Sequence, residues 1–181
     1  MTNNNASALP TPSDLDECAA MTVADALKII LANSYAIYLK TKNFHWHVSG
    51  PYFRDYHLLL DEQAAEILAV TDAIAERARK TGNTTIRSIG DIARHQTIKD
   101  NDAEFVTPQD MLGELRADNL HMVESFRRAK DVADKAKDNA TSGLIDAWRT
   151  RLSAVRGSSS KSAASALPGK PTSGFTPRRG R

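Results

Sequence analysis

The chain has little of what a disulfide-stapled, fibrous or membrane-spanning protein needs. Its 181 residues include one cysteine, nine glycines and seven prolines. The single cysteine, Cys18, excludes an intrachain disulfide and a cysteine-based zinc cluster, and it favours a reducing compartment. No apolar run approaches the ~20 residues of a membrane span. The N-terminal MTNNNASALPTPSD lacks the basic start and apolar segment of a secretory signal. These absences predict a soluble, cytoplasmic protein with no membrane partner.

Acidic residues are missing from the last part of the chain. All 22 of them lie between Asp14 and Asp146, so residues 1–148 carry a net charge of −6 and residues 149–181 carry +8. The eight basic residues of this tail are Arg149, Arg151, Arg156, Lys161, Lys170, Arg178, Arg179 and Arg181. Such a tail can neutralise phosphates and predicts nonspecific DNA binding. A merely disordered, solvated end would have the same composition.

The middle of the chain has the spacing of helices, and no segment alternates convincingly with period two. A capping box at Thr22 and Asp25 predicts the start of the first helix. The predicted helices are 23–47, 52–81, a short one at 88–95, 107–137 and a shorter fourth through Leu144, Trp148, Leu152 and Val155. This order predicts an all-α four-helix bundle with a short helix in the crossover between helices two and three.

Four ionisable residues of the predicted second helix share one face. At about 100° per residue, with His57 at zero, Asp61 lies at about 40°, Asp72 at about 60° and Glu76 at about 100°. His45, at the end of the first helix, can fold back beside the start of the second. Asp61 and Asp72 are nevertheless about 16 Å apart along the helix axis. Metal ligands lie roughly 2–2.5 Å from their ion. The pair His57 and Asp61 and the pair Asp72 and Glu76 of one chain therefore cannot bind the same ion.

A second copy of the same helix would close this gap. Two antiparallel copies, related by a two-fold axis near residues 66–67, would place His57 and Asp61 of one chain opposite Glu76 and Asp72 of the other. The geometry therefore predicts an intersubunit metal site, with two equivalent sites in each dimer.

The donor types in this set restrict the metal. Imidazole and carboxylate without thiolate suit iron, manganese or zinc rather than calcium or copper(I). A simpler interpretation also stands: Asp72 and Glu76 form a solvated stripe with the neighbouring arginines, and His57 with Asp61 is an ordinary surface pair. His47 points about 200° away from His45, which favours a surface role.

The run FHWHVSGPYFRDYHLLLDEQAAEILAVTDAIAERARKTG, from Phe44 to Gly82, resembles the Dps family of mini-ferritins, the DNA-binding proteins from starved cells. The pattern is His-Trp, then Gly and Phe, then His with Asp four positions on, then Asp-x-x-x-Glu-Arg. The resemblance covers about residues 22–148. It implies a ferritin-like four-helix subunit, a hollow dodecamer and a ferroxidase centre between two-fold-related subunits.

The same resemblance implies roles for individual residues. His45, His57 and Asp61 would bind iron from one subunit, and Asp72 and Glu76 from its partner. Trp46 would be the aromatic neighbour of the site, as an electron donor or as a packing residue. The implied activity is oxidation of Fe(II), preferentially by hydrogen peroxide, with storage of ferric mineral and protection of DNA at the nucleoid.

Two other functions remain open at this point. The protein could be mainly a nonspecific nucleoid DNA-condensing protein with a secondary metal site. It could also be a ferritin-like assembly whose site holds zinc or manganese without redox chemistry.

The C-terminal part departs from the family pattern. After GLIDAW, where the family continues its fourth helix with an acid-rich, aromatic-containing stretch, this chain reads RTRLSAVRGSSSKSAASALPGKP. A frame change in the source gene or a true DNA-binding extension would produce such an end. The predicted organisation is a flexible arm at 1–21, the bundle at 22–156 and a disordered basic tail at 157–181. Asp138 and Asp146 lie near the position where the family lines its iron-entry pores with acids.

Overall fold

The computed structural model describes residues 14–150, which form helices and no strand. The helices are α1 (Glu17–His47), α2 (Phe53–Leu68), α3 (Thr71–Lys80), α4 (Ile89–His95) and α5 (Pro108–Lys135), followed by α6, which occupies residues 139–150. Helix α1 packs against α2, α3, α4 and α5. The all-α prediction is confirmed, and the short helix α4 lies in the crossover between α3 and α5 as expected.

Helix α1 begins earlier than the sequence pattern predicted. Its N-cap is Asp16, whose side chain accepts a hydrogen bond from the backbone N–H of Ala19 at 3.0 Å. Thr22, the expected cap, lies inside the helix and donates its hydroxyl to the carbonyl of Cys18 at 2.8 Å. The predicted start was therefore wrong, and residues 17–21 belong to the bundle rather than to a flexible arm. The rest of that arm, up to residue 13, and the predicted tail at 157–181 lie outside the described residues.

The predicted single helix over 52–81 was also wrong, because it is interrupted after Leu68. The Thr71 hydroxyl donates to the carbonyl of Leu68 at 2.7 Å, and the N–H of Val70 bonds to the carbonyl of Ile67 at 3.4 Å. Bonds of this kind compete with the regular helical pattern. Ala69 and Val70 keep right-handed helical backbone angles, so the interruption is a local tightening and not a loop.

Two buried clusters hold the helices together. The larger one joins α1 to α2, α3, α5 and α6 through residues that include Leu27, Ile30, Ile67, Ile74, Phe126, Ile145 and Trp148. The smaller one joins the end of α1 to the starts of α2 and α5, and it consists of Phe44, Val48, Tyr56, Leu60, Met111 and Leu115. Burying each large side chain contributes about 1.5–3 kcal/mol. The smaller cluster therefore sets where the C-terminus of α1 meets the N-terminus of α2.

Helix α1 is long and apolar enough to cross a membrane when judged by length and composition alone. However, 61% of its most apolar stretch is buried inside the bundle. This burial identifies α1 as the core helix around which the others pack, and it accounts for the apolar composition.

Polar contacts attach the crossover to the bundle. The N–H of Thr97 donates to the side-chain oxygen of the fully buried Asn33 at 2.7 Å. The Asn43 amide donates to the carbonyl of Asn101 at 3.1 Å, and the Asn101 amide donates to Glu114 at 2.7 Å. The crossover is thus bonded to both α1 and α5. Helix α5 itself starts as predicted, with Thr107 as N-cap before a proline.

Asp138 precedes α6 and is almost completely buried. Its carboxylate accepts two hydrogen bonds from the Arg77 guanidinium, at 2.8 and 2.9 Å, and another from the N–H of Thr141 at 2.9 Å. The Asp138 side chain is only 3% exposed. Asp138 lies near the family's pore position in the sequence, and its oxygens are occupied by partners inside the subunit. Asp146 accepts a hydrogen bond from Lys130 at 2.8 Å and stays partly exposed.

Candidate metal centre

The turn between α1 and α2 brings His45 and His57 into contact. Gly50 has a φ of 109°, a backbone angle that favours glycine, and it lets the chain reverse. The Nδ1 of His45 lies 2.8 Å from the carbonyl oxygen of His57, and the Nδ1 of His57 lies 2.9 Å from the carbonyl oxygen of His45. The two rings stack with their centroids 3.7 Å apart. The predicted approach of the two histidines is therefore present in a single chain.

These reciprocal hydrogen bonds determine the tautomer of both rings. A carbonyl oxygen can only accept, so each Nδ1 carries a hydrogen, and in the neutral ring the lone pair is on Nε2. Metal-binding histidines are commonly arranged in this way, because a backbone partner at one nitrogen orients the other toward the ion. His45 is buried, while His57 is partly buried beside the ring of Phe53, at a centroid distance of 5.1 Å.

Asp61 lies close to this histidine pair. Its Oδ1 lies 4.0 Å from the Nε2 of His45 and 2.7 Å from the Nζ of Lys42. The hydrogen bond and charge of Lys42 hold the pKa of the Asp61 carboxyl below its usual range. Asp61 is therefore an anion at neutral pH, and it lies beside the Nε2 of His45.

Asp72 and Glu76 lie apart from this group, on α3. Both are exposed, and Glu76 accepts a hydrogen bond from Lys80 at 3.1 Å. Along the helix axis, Asp72 is about 16 Å from Asp61. Between residues 14 and 150 of one chain, no three His, Cys, Asp or Glu side chains are grouped so as to hold a metal ion. One chain thus presents two separate partial donor sets, one of His45, His57 and Asp61 and one of Asp72 and Glu76.

An exposed apolar stripe connects the two partial donor sets, and the sequence reasoning did not identify it. It consists of Leu58, Ala65, Leu68 and Ala69, all exposed in the single chain. At helical spacing these residues fall on the same face of α2 and α3 as Asp61 and Asp72. On α1, Leu39 and Trp46 are also exposed, each at 58%, and lie seven residues apart, which is two helical turns. Exposed apolar residues that share a helix face favour an interaction site there.

Lys42 is the other residue that sequence reasoning missed. Its position three residues before His45 and four before Trp46 was the available signal, because such spacings place side chains on one helix face. Its ammonium lies 6.0 Å from the centroid of the Trp46 ring. His47 bonds instead to the carbonyl of Asn43, its own α1 neighbour, and does not join the group.

The predicted DNA-binding residues fall mostly outside the described part of the chain. Arg149 alone is within it, and its guanidinium lies 3.2 Å from Asp146. The other seven, Arg151, Arg156, Lys161, Lys170, Arg178, Arg179 and Arg181, are beyond residue 150.

Comparison with known proteins is consistent with this geometry. The family model of the ferritin-like domain matches residues 24–151. DNA protection during starvation protein 1 of Deinococcus radiodurans is 30% identical over 142 residues, which cover 78% of this chain and 69% of that protein. The DNA protection during starvation protein of Brevibacillus brevis is 32% identical over 130 residues, or 72% of this chain and 87% of that protein.

A solved structure extends the likeness to the fold. The archaeal Dps homologue from Halobacterium salinarum superposes with a TM-score of 0.77 at 26% identity, covering 90% of this chain and 93% of that one. The family-model match, residues 24–151, spans the segment from His45 to Glu76. The chain belongs to the Dps family of ferritin-like proteins.

Proposed function

We propose that this protein is a ferroxidase and iron-storage protein that assembles into a hollow homo-oligomer, a dodecamer. It takes up Fe(II) at sites shared between two-fold-related chains, oxidises it preferentially with hydrogen peroxide and stores the ferric product. It protects DNA from oxidative damage in the cytoplasm, at the nucleoid. The observation that carries this proposal is the pair of reciprocal His45 and His57 hydrogen bonds, which engages each Nδ1 and leaves each Nε2 available, that of His45 at 4.0 Å from the Asp61 carboxylate.

The apolar stripe supports completion of the site by a second copy of the chain. A two-fold axis between residues 66 and 67 pairs Ala65 with Leu68, Leu58 with Ala75 and Asp61 with Asp72. The stripe of one chain then covers the stripe of the other. Burial of apolar area of this kind is the main favourable contribution to association. The same symmetry brings Asp72 and Glu76 of one chain to the His45, His57 and Asp61 of its partner.

The donor set suits iron as the substrate. Imidazoles bind Fe(II), and the hard carboxylate oxygens favour the higher charge of Fe(III). Two Fe(II) ions each give one electron to one hydrogen peroxide molecule, the O–O bond breaks, and two protons complete two molecules of water. His45 and His57 are held in the required tautomer by the backbone, and Asp61 supplies negative charge. Trp46, adjacent to His45 and exposed in the single chain, is proposed as a nearby electron donor.

The double variant His57→Ala, Asp61→Ala tests the site. Removing an imidazole and a carboxylate should lower the rate of Fe(II) oxidation by more than roughly ten-fold, because even outer-shell changes at metal sites cost about that much. Absorbance of the ferric product under added peroxide measures the rate, and size-exclusion chromatography with light scattering checks assembly. His47→Ala is the control, since His47 is exposed and bonds only within α1. An assembled double variant with the wild-type rate would contradict the proposal.

DNA binding through residues 149–181 is a second candidate function, favoured by eight basic residues and no acidic one in that stretch. Deletion of residues 157–181 should abolish retardation of duplex DNA in gels at low salt. Each lost phosphate contact should also reduce the slope of log affinity against log salt by roughly 0.9. A shell that displays many tails would amplify the effect through effective concentration. Unchanged retardation by the truncated, assembled protein would exclude residues 157–181 as the DNA-binding element.

A further inference from the structure

We propose that Lys42 is a built-in competitor for the metal ion and thereby sets the affinity of the site for divalent cations. This inference rests on the proposed function, since it concerns the same His45, His57 and Asp61 group. Lys42 acts through Asp61 and is a positioning residue, not a ligand.

Lys42 is bonded to the same oxygen atom of Asp61 that faces His45. The Oδ1 of Asp61 faces the Nε2 of His45 at 4.0 Å and accepts a hydrogen bond from the Nζ of Lys42 at 2.7 Å. A metal ion held by His45 and Asp61 needs this oxygen, or else Asp61 must rotate. Divalent cation and ammonium therefore compete for the same carboxylate.

Burial restricts the movement of the Lys42 side chain. The Lys42 side chain is only 19% exposed, although Asp61 is 57% exposed. The ammonium is thus held against the protein surface and cannot move freely into solvent. When a dication binds, Lys42 must either leave Asp61 or remain close to a second positive charge, and both outcomes weaken metal binding.

The ring of Trp46 gives the Lys42 ammonium a second position to occupy. The ring of Trp46 is one turn along α1, and its centroid lies 6.0 Å from the Nζ in the present position. This is the outer limit of a cation–π contact, which strengthens as the ammonium moves over the ring. A flexible four-carbon stem permits that movement. Metal binding should consequently move a positive charge toward Trp46.

Two substitutions of Lys42 have opposite expected signs. Lys42→Met keeps the aliphatic stem but removes the charge, so Asp61 is left without its competitor and metal binding tightens. Lys42→Arg keeps the charge and presents a planar guanidinium that can bind the Asp61 carboxylate through two hydrogen bonds, so metal binding weakens. A residue that merely supports the fold would instead weaken binding in both variants.

The experiment is a titration of the assembled, full-length protein with Co²⁺ alone, followed by calorimetry and by the visible absorption of the bound ion. We expect Lys42→Met to bind Co²⁺ roughly five-fold more tightly than the wild type, since the ion pair between Lys42 and Asp61 no longer has to be broken. We expect Lys42→Arg to bind more weakly.

Lys28→Met is the matched control. Lys28 is on the same helix, is also 19% exposed and pairs with an aspartate, Asp25, at 2.9 Å. It should leave Co²⁺ affinity unchanged. Equal or weaker binding by Lys42→Met, or an equal gain in Lys28→Met, would overturn the role of Lys42 while leaving the metal site in place. If the wild type bound no Co²⁺, or if His57→Ala, Asp61→Ala bound it equally well, the proposed function would fail together with this inference.

Discussion

Two inactive variants are expected to regain Fe(II) oxidation when they are assembled together. His57→Ala, Asp61→Ala loses one partial donor set, and Asp72→Ala, Glu76→Ala loses the other. In a mixed pair of chains, one shared site combines both defects, but the second combines the intact His57 and Asp61 of one chain with the intact Asp72 and Glu76 of its partner. Random pairing then restores about a quarter of the wild-type sites. A site built within one chain cannot be restored in this way.

Co-expression with two different affinity tags isolates the mixed assemblies for peroxide-driven Fe(II) oxidation. The matched control mixes His57→Ala with Asp61→Ala, two changes in the same partial donor set, for which no pairing produces an intact site. Activity in the first mixture and not in the second establishes a shared centre. An inactive first mixture, with co-assembly verified by light scattering, would show that the two donor sets do not meet.

Asp138→Asn is expected to destabilise the bundle by about 3 kcal/mol, because it leaves the partly buried Arg77 guanidinium without its anionic partner. Burial raises the pKa of the Asp138 carboxyl, but the hydrogen bonds from Thr141 and from Arg77 outweigh it, so the pKa lies below the usual range. A lowered folded-state pKa contributes stability above the unfolded value of ~3.9, and this contribution is lost as the pH falls through the folded value.

Chemical denaturation at several pH values and one protein concentration measures this effect. The difference in free energy of unfolding between wild type and Asp138→Asn should be largest near neutral pH and should shrink below about pH 4. Asp25→Asn is the control, since Asp25 is exposed and its ion pair with Lys28 lies on the surface of α1; it should have little effect. A difference for Asp138→Asn that is small and independent of pH would show that the buried pair does not stabilise the bundle.

The helices themselves were largely predictable from the sequence, but two of their boundaries were not. The stop after α1 and the start of α5 were predicted from Ser49-Gly50-Pro51 and from Thr107 before Pro108, which act through local backbone chemistry. The start of α1 was wrong because Asp16 lies in a polar segment that also suits a flexible arm. The interruption after Leu68 depends on the hydroxyl of Thr71, a residue type that a continuous helix also tolerates.

The candidate site was likewise predictable from the sequence only in part. The spacing of His57 and Asp61 on α2, and of Asp72 and Glu76 on α3, follows from the helix repeat and needed no tertiary information. The exposed stripe of Leu58, Ala65, Leu68 and Ala69 could have been found by the same method, if the helical angles of the apolar residues had been compared with those of the ionisable ones. The binding of Lys42 to Asp61 could not, because it joins residues of two different helices.

What the sequence by itself determined is therefore which residues share a helix face, since the helical repeat is maintained by hydrogen bonds between near neighbours. Those faces already implied two partial donor sets and the symmetry that would unite them. Only the tertiary structure decided which nitrogen of His45 and His57 is free, which cation occupies Asp61 and that Asp138 is buried with Arg77. Each of these depends on which helices become adjacent, and adjacency is set by packing of the buried clusters rather than by local spacing.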